Sequence, residues 1–281
     1  MIATIFLYGL VWTFIYVLIA SGFSLLFGAA GVLNLSHGML AMVAVYTCYW
    51  FMNVVGLSLG FSTAIAVSIT IVLGIIIYYS LIKHFINNEA SLLLVTVGVA
   101  FAIEAIIVLT IGPTNRSFPS FFKGNRVLLG VSLTNHQVFI IIFGTIIILF
   151  LWILINKTKF GIAMRAVSQD RDVASMHAIE PGKISIYVMI LATALATTGG
   201  LILVPMQSAV PTLGWTIMIS AFTVTILGGI GDIRGIVVAS AIVAYSEMLT
   251  AFIISPMMKE VATFGIMIFT LLLRPKGLFG K

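Results

Sequence analysis

Two carboxylates in this chain sit where a charged side chain is costly. Glu104 lies near the centre of an apolar run at 91–112, and Glu247 lies twelve residues into another at 236–254. Inside a bilayer each would cost about 2.5–3.5 kcal/mol on insertion scales, so each must face other helices or a wet cavity, be paired, or carry a proton. Three kinds of chemistry fit such a residue: lining a translocation route, hydrogen-bonding two helices together, or relaying protons. No apolar run supplies a Lys or Arg as partner, which gives the relay little support.

Asn34, His37 and Gly38 form a second constellation. A spacing of three puts Asn34 and His37 on one face if both are helical, and Gly38 lets another backbone come close. The group suits a gate at a helix end near the inner mouth of a pathway. It equally suits a cap, with Asn34 or Ser36 satisfying free N–H groups while His37 bonds a neighbouring helix. Other site chemistry is poorly provided for. Histidines at 37, 84, 136 and 177 and the lone Cys48 have no metal-ligand spacing, so no metal is expected. No His–acid–Ser grouping or His-Glu-x-x-His stretch suggests an intramembrane enzyme.

A third pattern is made of glycines. Gly28-Ala29-Ala30-Gly31 and Gly228-Gly229-Ile230-Gly231 stand 200 residues apart, each closing an apolar run and opening into another. Paired breaks of this kind mark pseudo-symmetric transporter cores, although 25 glycines also allow a chance match.

The elements that must hold these residues can be read from composition. The chain is 61% hydrophobic and 8% charged, and the first charged side chain is Lys83, which excludes a soluble domain. Apolar runs fall near 4–27, 36–53, 61–82, 91–112, 136–155, 184–205, 215–230, 236–254 and 260–273. The expected fold is an all-α polytopic membrane helix bundle of eight or nine transmembrane segments, in one domain over 1–281. The start, Met1-Ile2-Ala3-Thr4, has no basic region, so the first helix is expected to stay in the protein.

With the N-terminus outside, inner segments hold Lys83, Lys157, Lys159, Arg165, Arg171, Lys183, Arg234, Arg274, Lys276 and Lys281. Outer ones hold Arg116, Lys123, Arg126 and Lys259. This bias predicts an N-out, C-in arrangement in the cell membrane, and it places the basic residues as topology markers rather than as a nucleic-acid surface. The 113–135 stretch, with Pro113, Pro119, Gly124 and Gly130, reads as an ordered external loop. Small residues Ala192, Ala194, Ala196, Thr197, Thr198, Gly199 and Gly200 make the sixth run thin enough for close helix packing.

The sizeable inner polar segment is 157–183. From Ser168 it can start a short surface helix, with Asp170 and Asp172 in the first turn and an end before Pro181-Gly182. Val173, Met176 and Ile179 recur every three residues as a narrow apolar stripe for a soluble partner; a charged loop that only holds topology is the alternative.

Thr158-Lys159-Phe160-Gly161-Ile162-Ala163-Met164-Arg165-Ala166-Val167-Ser168-Gln169-Asp170 resembles the coupling segment of permease subunits in high-affinity branched-chain amino acid ABC importers, and among them the smaller permease. Three further stretches, in the family's order, share the resemblance. They are Asn34-Leu35-Ser36-His37-Gly38, the glycine-rich Leu227-Gly228-Gly229-Ile230-Gly231 with Gly235, and the tail Arg274-Pro275-Lys276-Gly277-Leu278-Phe279-Gly280. The departure is Ala178 before Ile179, where the family commonly has glycine.

The resemblance implies a second, homologous permease, two cytoplasmic ATPases and an extracytoplasmic solute-binding protein. It makes Arg165, Ala166, Gln169, Asp170, Arg171, Val173, Ala174, Met176 and Ile179 the coupling contacts, and it sets Glu247 at an acidic and Glu104 at a polar position similar to the family's; with the Asn34, His37 and Gly38 group these are the candidate residues of the pathway or gate. ATP–Mg would be used by those partners: this chain carries no phosphate loop ending in Gly-Lys-Ser or Gly-Lys-Thr, and no cofactor of its own is expected. The same resemblance extends to importers of urea and short amides. A rival from another class is a single-chain, ion-coupled carrier.

Overall fold

The computed structural model describes residues 2–86, 88–274 and 276–279. Pro275 and Gly280 of the tail motif, and Lys281 of the charge pattern, lie outside the described residues. Apolar sequence becomes helix here because a bilayer offers backbone groups no water, and a helix satisfies them internally. In chain order the elements are α1 (Ile2–Ala30), α2 (His37–Asn53), α3 (Leu59–Ile77), a π-helical turn (Tyr78–Ile82), α4 (Lys83–Phe85) and α5 (Glu89–Ile111). An antiparallel hairpin of β1 (Asn125–Leu128) and β2 (Val131–Thr134) comes next. Then come α6 (Asn135–Lys157), α7 (Lys159–Gln169), α8 (Arg171–Met176), α9 (Pro181–Leu203), α10 (Leu213–Gly228), α11 (Ile233–Ile253) and α12 (Lys259–Leu273).

The result is an all-α membrane bundle with a small hairpin added. Seven stretches among the described residues are long and apolar enough to cross a membrane, among them Leu59–Phe85, Pro181–Met206 and Pro256–Leu273. Two of the expected runs form shorter helices. α2 has 17 residues and α10 has 16, lengths of roughly 25 Å against a hydrocarbon core of about 30 Å.

Helix α1 is the central post. Val11, Ile15, Leu18, Phe23 and Leu26 have no exposed surface, and α6, α9, α10 and α11 pack around it. Close approach is arranged by small residues, as the sequence suggests for α9. Gly22 of α1 lies against the Ala192 carbonyl, Gly199 against Ile19, and Gly200 against Ala41 of α2. Such contacts replace the hydrophobic drive that lipid cannot supply between helices. The outer apolar faces of α5, α6 and α12 remain open, with Leu109, Ile146 and Leu272 more than half exposed.

Two of the helix starts illustrate side-chain capping. Asn88 accepts the Ser91 N–H, and Thr134 with Gln137 forms a reciprocal capping box at the start of α6. The starts of α2 and α10 have no side-chain cap, and their first residues, His37 and Gly38, Leu213 and Gly214, are buried.

Candidate functional site

The polar interruption folds as two helices rather than one starting at Ser168. Thr158 caps α7 by accepting the Gly161 N–H. Gly161 sits so close to the Ile155 backbone that no side chain fits, which folds α7 back under α6. Asp170 breaks the helix and caps α8, its Oδ1 accepting from the N–H groups of Asp172 (2.8 Å) and Val173 (3.0 Å). Met164 and Val167 bury one side of α7. After α8 the chain turns through Ala178, whose φ of +59° is the left-handed conformation that glycine takes freely. This is the position where the family resemblance expects glycine.

The nine candidate coupling residues therefore point several ways. Val173 and Met176 are exposed, Met176 by 82%, with Gln169 and Asp170 beside them; Ala166 and Ile179 are half-buried. Ala174 is buried against the body and offers no surface. Arg165 donates to the Ile155 carbonyl, covering the open end of α6. Arg171 turns inward, donating from Nη1 to the Ala30 carbonyl at 3.0 Å and from Nη2 to Ser185 Oγ at 3.2 Å.

Above this segment the glycine breaks meet one another. Gly28 packs on Gly231, whose N–H donates to Ser24 Oγ at 3.0 Å. Gly228 is pressed against Gly235, closing the α10–α11 turn through Gly229 and Gly231, both at positive φ. The two breaks differ in form: Gly31 opens a largely buried, non-helical stretch before α2, whereas the second break is a tight turn. The tail adds a further layer, with Leu278 N–H donating to Leu227 O at 2.8 Å. A cavity of about 400 Å³ lies between these ends, lined in part by Gly28, Trp152, Arg165, Asp232 and Arg234.

Asn34 lies before α2, not on it, so Asn34 and His37 do not share a helix face. Its Oδ1 accepts from the Ser36 N–H (3.0 Å) and hydroxyl (2.6 Å), and its side chain is fully buried. His37 Nε2–H donates to the Ile19 carbonyl of α1 at 3.1 Å. Ile19 stands eleven residues before Ala30, roughly 16 Å up the post. His37 is thus held well along α1 from its end, and both side chains are buried. Gly38 rests on the Gly214 carbonyl, bringing the first turns of α2 and α10 into backbone contact. Phe23, His37 and Phe222 form an edge-on aromatic cluster beside them, with the Phe23 centroid 5.8 Å from His37 and 6.0 Å from Phe222.

Both buried acids have partners on other helices. Glu247 is 5% exposed and accepts from the hydroxyls of Tyr16 on α1 (2.5 Å) and Thr263 on α12. Glu104 is half-buried and accepts from the Trp215 indole N–H of α10 at 2.7 Å. Neither partner set is visible in the sequence, because Tyr16 and Trp215 stand 231 and 111 residues away.

A bundle of long apolar helices with a buried two-helix junction and an exposed polar helix pair defines a polytopic membrane protein. Residues 5–271 match the family described as the permease component of the branched-chain amino acid transport system, and the chain belongs to that family. The "high-affinity branched-chain amino acid transport system permease protein LivH" of Escherichia coli strain K12 is 27% identical over 95% of this chain and 91% of its own length. The "probable branched-chain amino acid transport permease protein LivH" of Methanocaldococcus jannaschii is 30% identical over 96% and 90%. The fold is shared with PsaBC from Streptococcus pneumoniae, solved in complex with Fab, at a TM-score of 0.55 and 13% identity over 98% of this chain and 97% of that one. The chain is a multi-pass inner-membrane transport component of ABC type, not an enzyme, and works with other transporter subunits.

Proposed function

We propose that this chain forms half of the translocation path of an importer for branched-chain or similar apolar amino acids. A second, homologous permease completes the path. Two cytoplasmic ATPases consume ATP–Mg, and an extracytoplasmic binding protein delivers substrate. The substrate class is taken from the relatives, whose names state it. Nine membrane passages, with α2 and α10 as short ones, and the N-terminus outside put α7–α8 on the cytoplasmic side with the larger share of Lys and Arg.

The carrying observation is the α7–α8 knob. Val173 and Met176 expose apolar surface beside Gln169 and Asp170, on a helix pair whose other side is buried. A soluble partner with an apolar groove fits it. ATPase closure pulling on this knob would rearrange the helices and open the path alternately to each side. Glu247, held by two hydroxyls from separate helices, serves as a bridge rather than a route residue; Glu104 with Trp215 ties α5 to α10 beside the route. The test is reconstitution: this chain with its permease partner, ATPases and binding protein should take up labelled leucine only with ATP. Uptake by this chain alone, driven by an ion gradient, would refute the proposal.

A further inference from the structure

We infer that Arg171 is the strut through which motion of α8 reaches the α2–α10 junction; this rests on the importer reading above. One short helix presents two unlike faces: Val173 and Met176 point out, while Arg171 and Ala174 point in. The guanidinium holds two other elements at once, the Ala30 carbonyl that ends α1 and the Ser185 hydroxyl near the start of α9. The last carbonyls of a helix lack partners within it, and a cation there also meets the negative end of the helix dipole. A planar fork fixes the direction of both bonds, which a lysine ammonium on a flexible stem cannot do.

The segment after Ala30 makes this contact consequential. Gly31 turns at φ +66°, and residues 32–36 run without helix to His37. Val32, Asn34 and Ser36 have no exposed surface, so this segment cannot dissipate a displacement as a solvent loop would. It ends at His37 on Ile19 and at Gly38 on Gly214. A pull on α8 therefore passes through Arg171 to the end of α1 and along the buried segment to the place where α2 and α10 meet. Arg165, Asp170 and the Lys183–Glu180 pair lead elsewhere: Arg165 reaches the end of α6, Asp170 caps its own helix, and Lys183 and Glu180 bind each other.

The experiment measures substrate taken up per ATP hydrolysed by the complete reconstituted complex. Arg171→Gln should lower that ratio about tenfold, as expected for loss of hydrogen bonds from a charged group, with Arg171→Lys in between. A residue that only stabilises the fold would reduce the amount of complex and leave the ratio intact, and that result would overturn the inference. If Arg171→Gln does not assemble, Ser185→Ala removes one bond only; a drop of about threefold supports the strut, and an unchanged ratio refutes it. Failure of ATPases to associate with the unaltered chain would instead overturn the importer reading, and this inference with it.

Discussion

The α7–α8 knob and the α2–α10 junction are built on opposite terms. Apart from Arg171, the knob is local: Thr158, Asp170 and Gly161 shape it through partners nearby in the chain, and its outward side chains are open to solvent. The junction draws on Ile19, Asn34, His37, Gly38, Gly214 and Phe222, contributed by three separated parts of the chain and packed with little room to spare. A surface that meets a partner tolerates change of shape but not of polarity. A junction packed backbone to backbone tolerates change of polarity poorly and change of volume hardly at all.

The largest effect should come from attacking the knob's polarity. Val173→Asp with Met176→Asp should weaken ATPase association about a hundredfold while the permease still inserts, measured by co-purification and titration, since buried apolar anchors dominate such interfaces. Unchanged association would break the contrast at its surface end. Next is volume at the junction. Gly38→Ala should destabilise by about 2–3 kcal/mol, because the added methyl falls on the Gly214 carbonyl. Gly265→Ala in α12, with nothing within 4 Å, should be neutral or stabilise by up to about 1 kcal/mol. Thermal unfolding in detergent separates the two, and equal effects would mean that depth does not matter.

Smaller effects sharpen the picture. Glu247→Gln keeps an acceptor for Tyr16 or Thr263 and should cost about 1 kcal/mol with transport intact. Loss of transport in a fully assembled complex would move Glu247 into the route. Ala178→Gly should stabilise by about 0.5–1 kcal/mol, visible as a modest rise in melting temperature, because it relieves a left-handed residue at the exit of α8.

The same division separates what is legible in the sequence from what is not. The helices, the polar segment and the thin α9 are readable, because hydropathy and small-residue runs report local burial directly. The cap at Asp170 is foreshadowed by its place before an apolar stripe, though the helix already present from Lys159 is not. The contact of His37 with Ile19 is hidden: apolar character says that a residue leaves water, not which part of a neighbouring helix it meets. The hairpin in 113–135 escapes for another reason. Its turn is Leu129-Gly130 with φ of +52° and +75°, and a leucine in place of the usual Asn or Asp gives no turn signal. Arg171 looks like a surface contact in sequence because its partners, Ala30 and Ser185, lie 141 and 14 residues away.

In the proposed importer an exposed inner knob lets a separate ATPase work a membrane-buried body. The most direct test is labelling Ser175→Cys on α8 with a membrane-impermeant thiol reagent, against the native Cys48, which is buried. Ser175→Cys should react in inside-out vesicles, be protected when the ATPases are bound, and stay unreactive in sealed right-side-out vesicles. Reaction from the external face would contradict it.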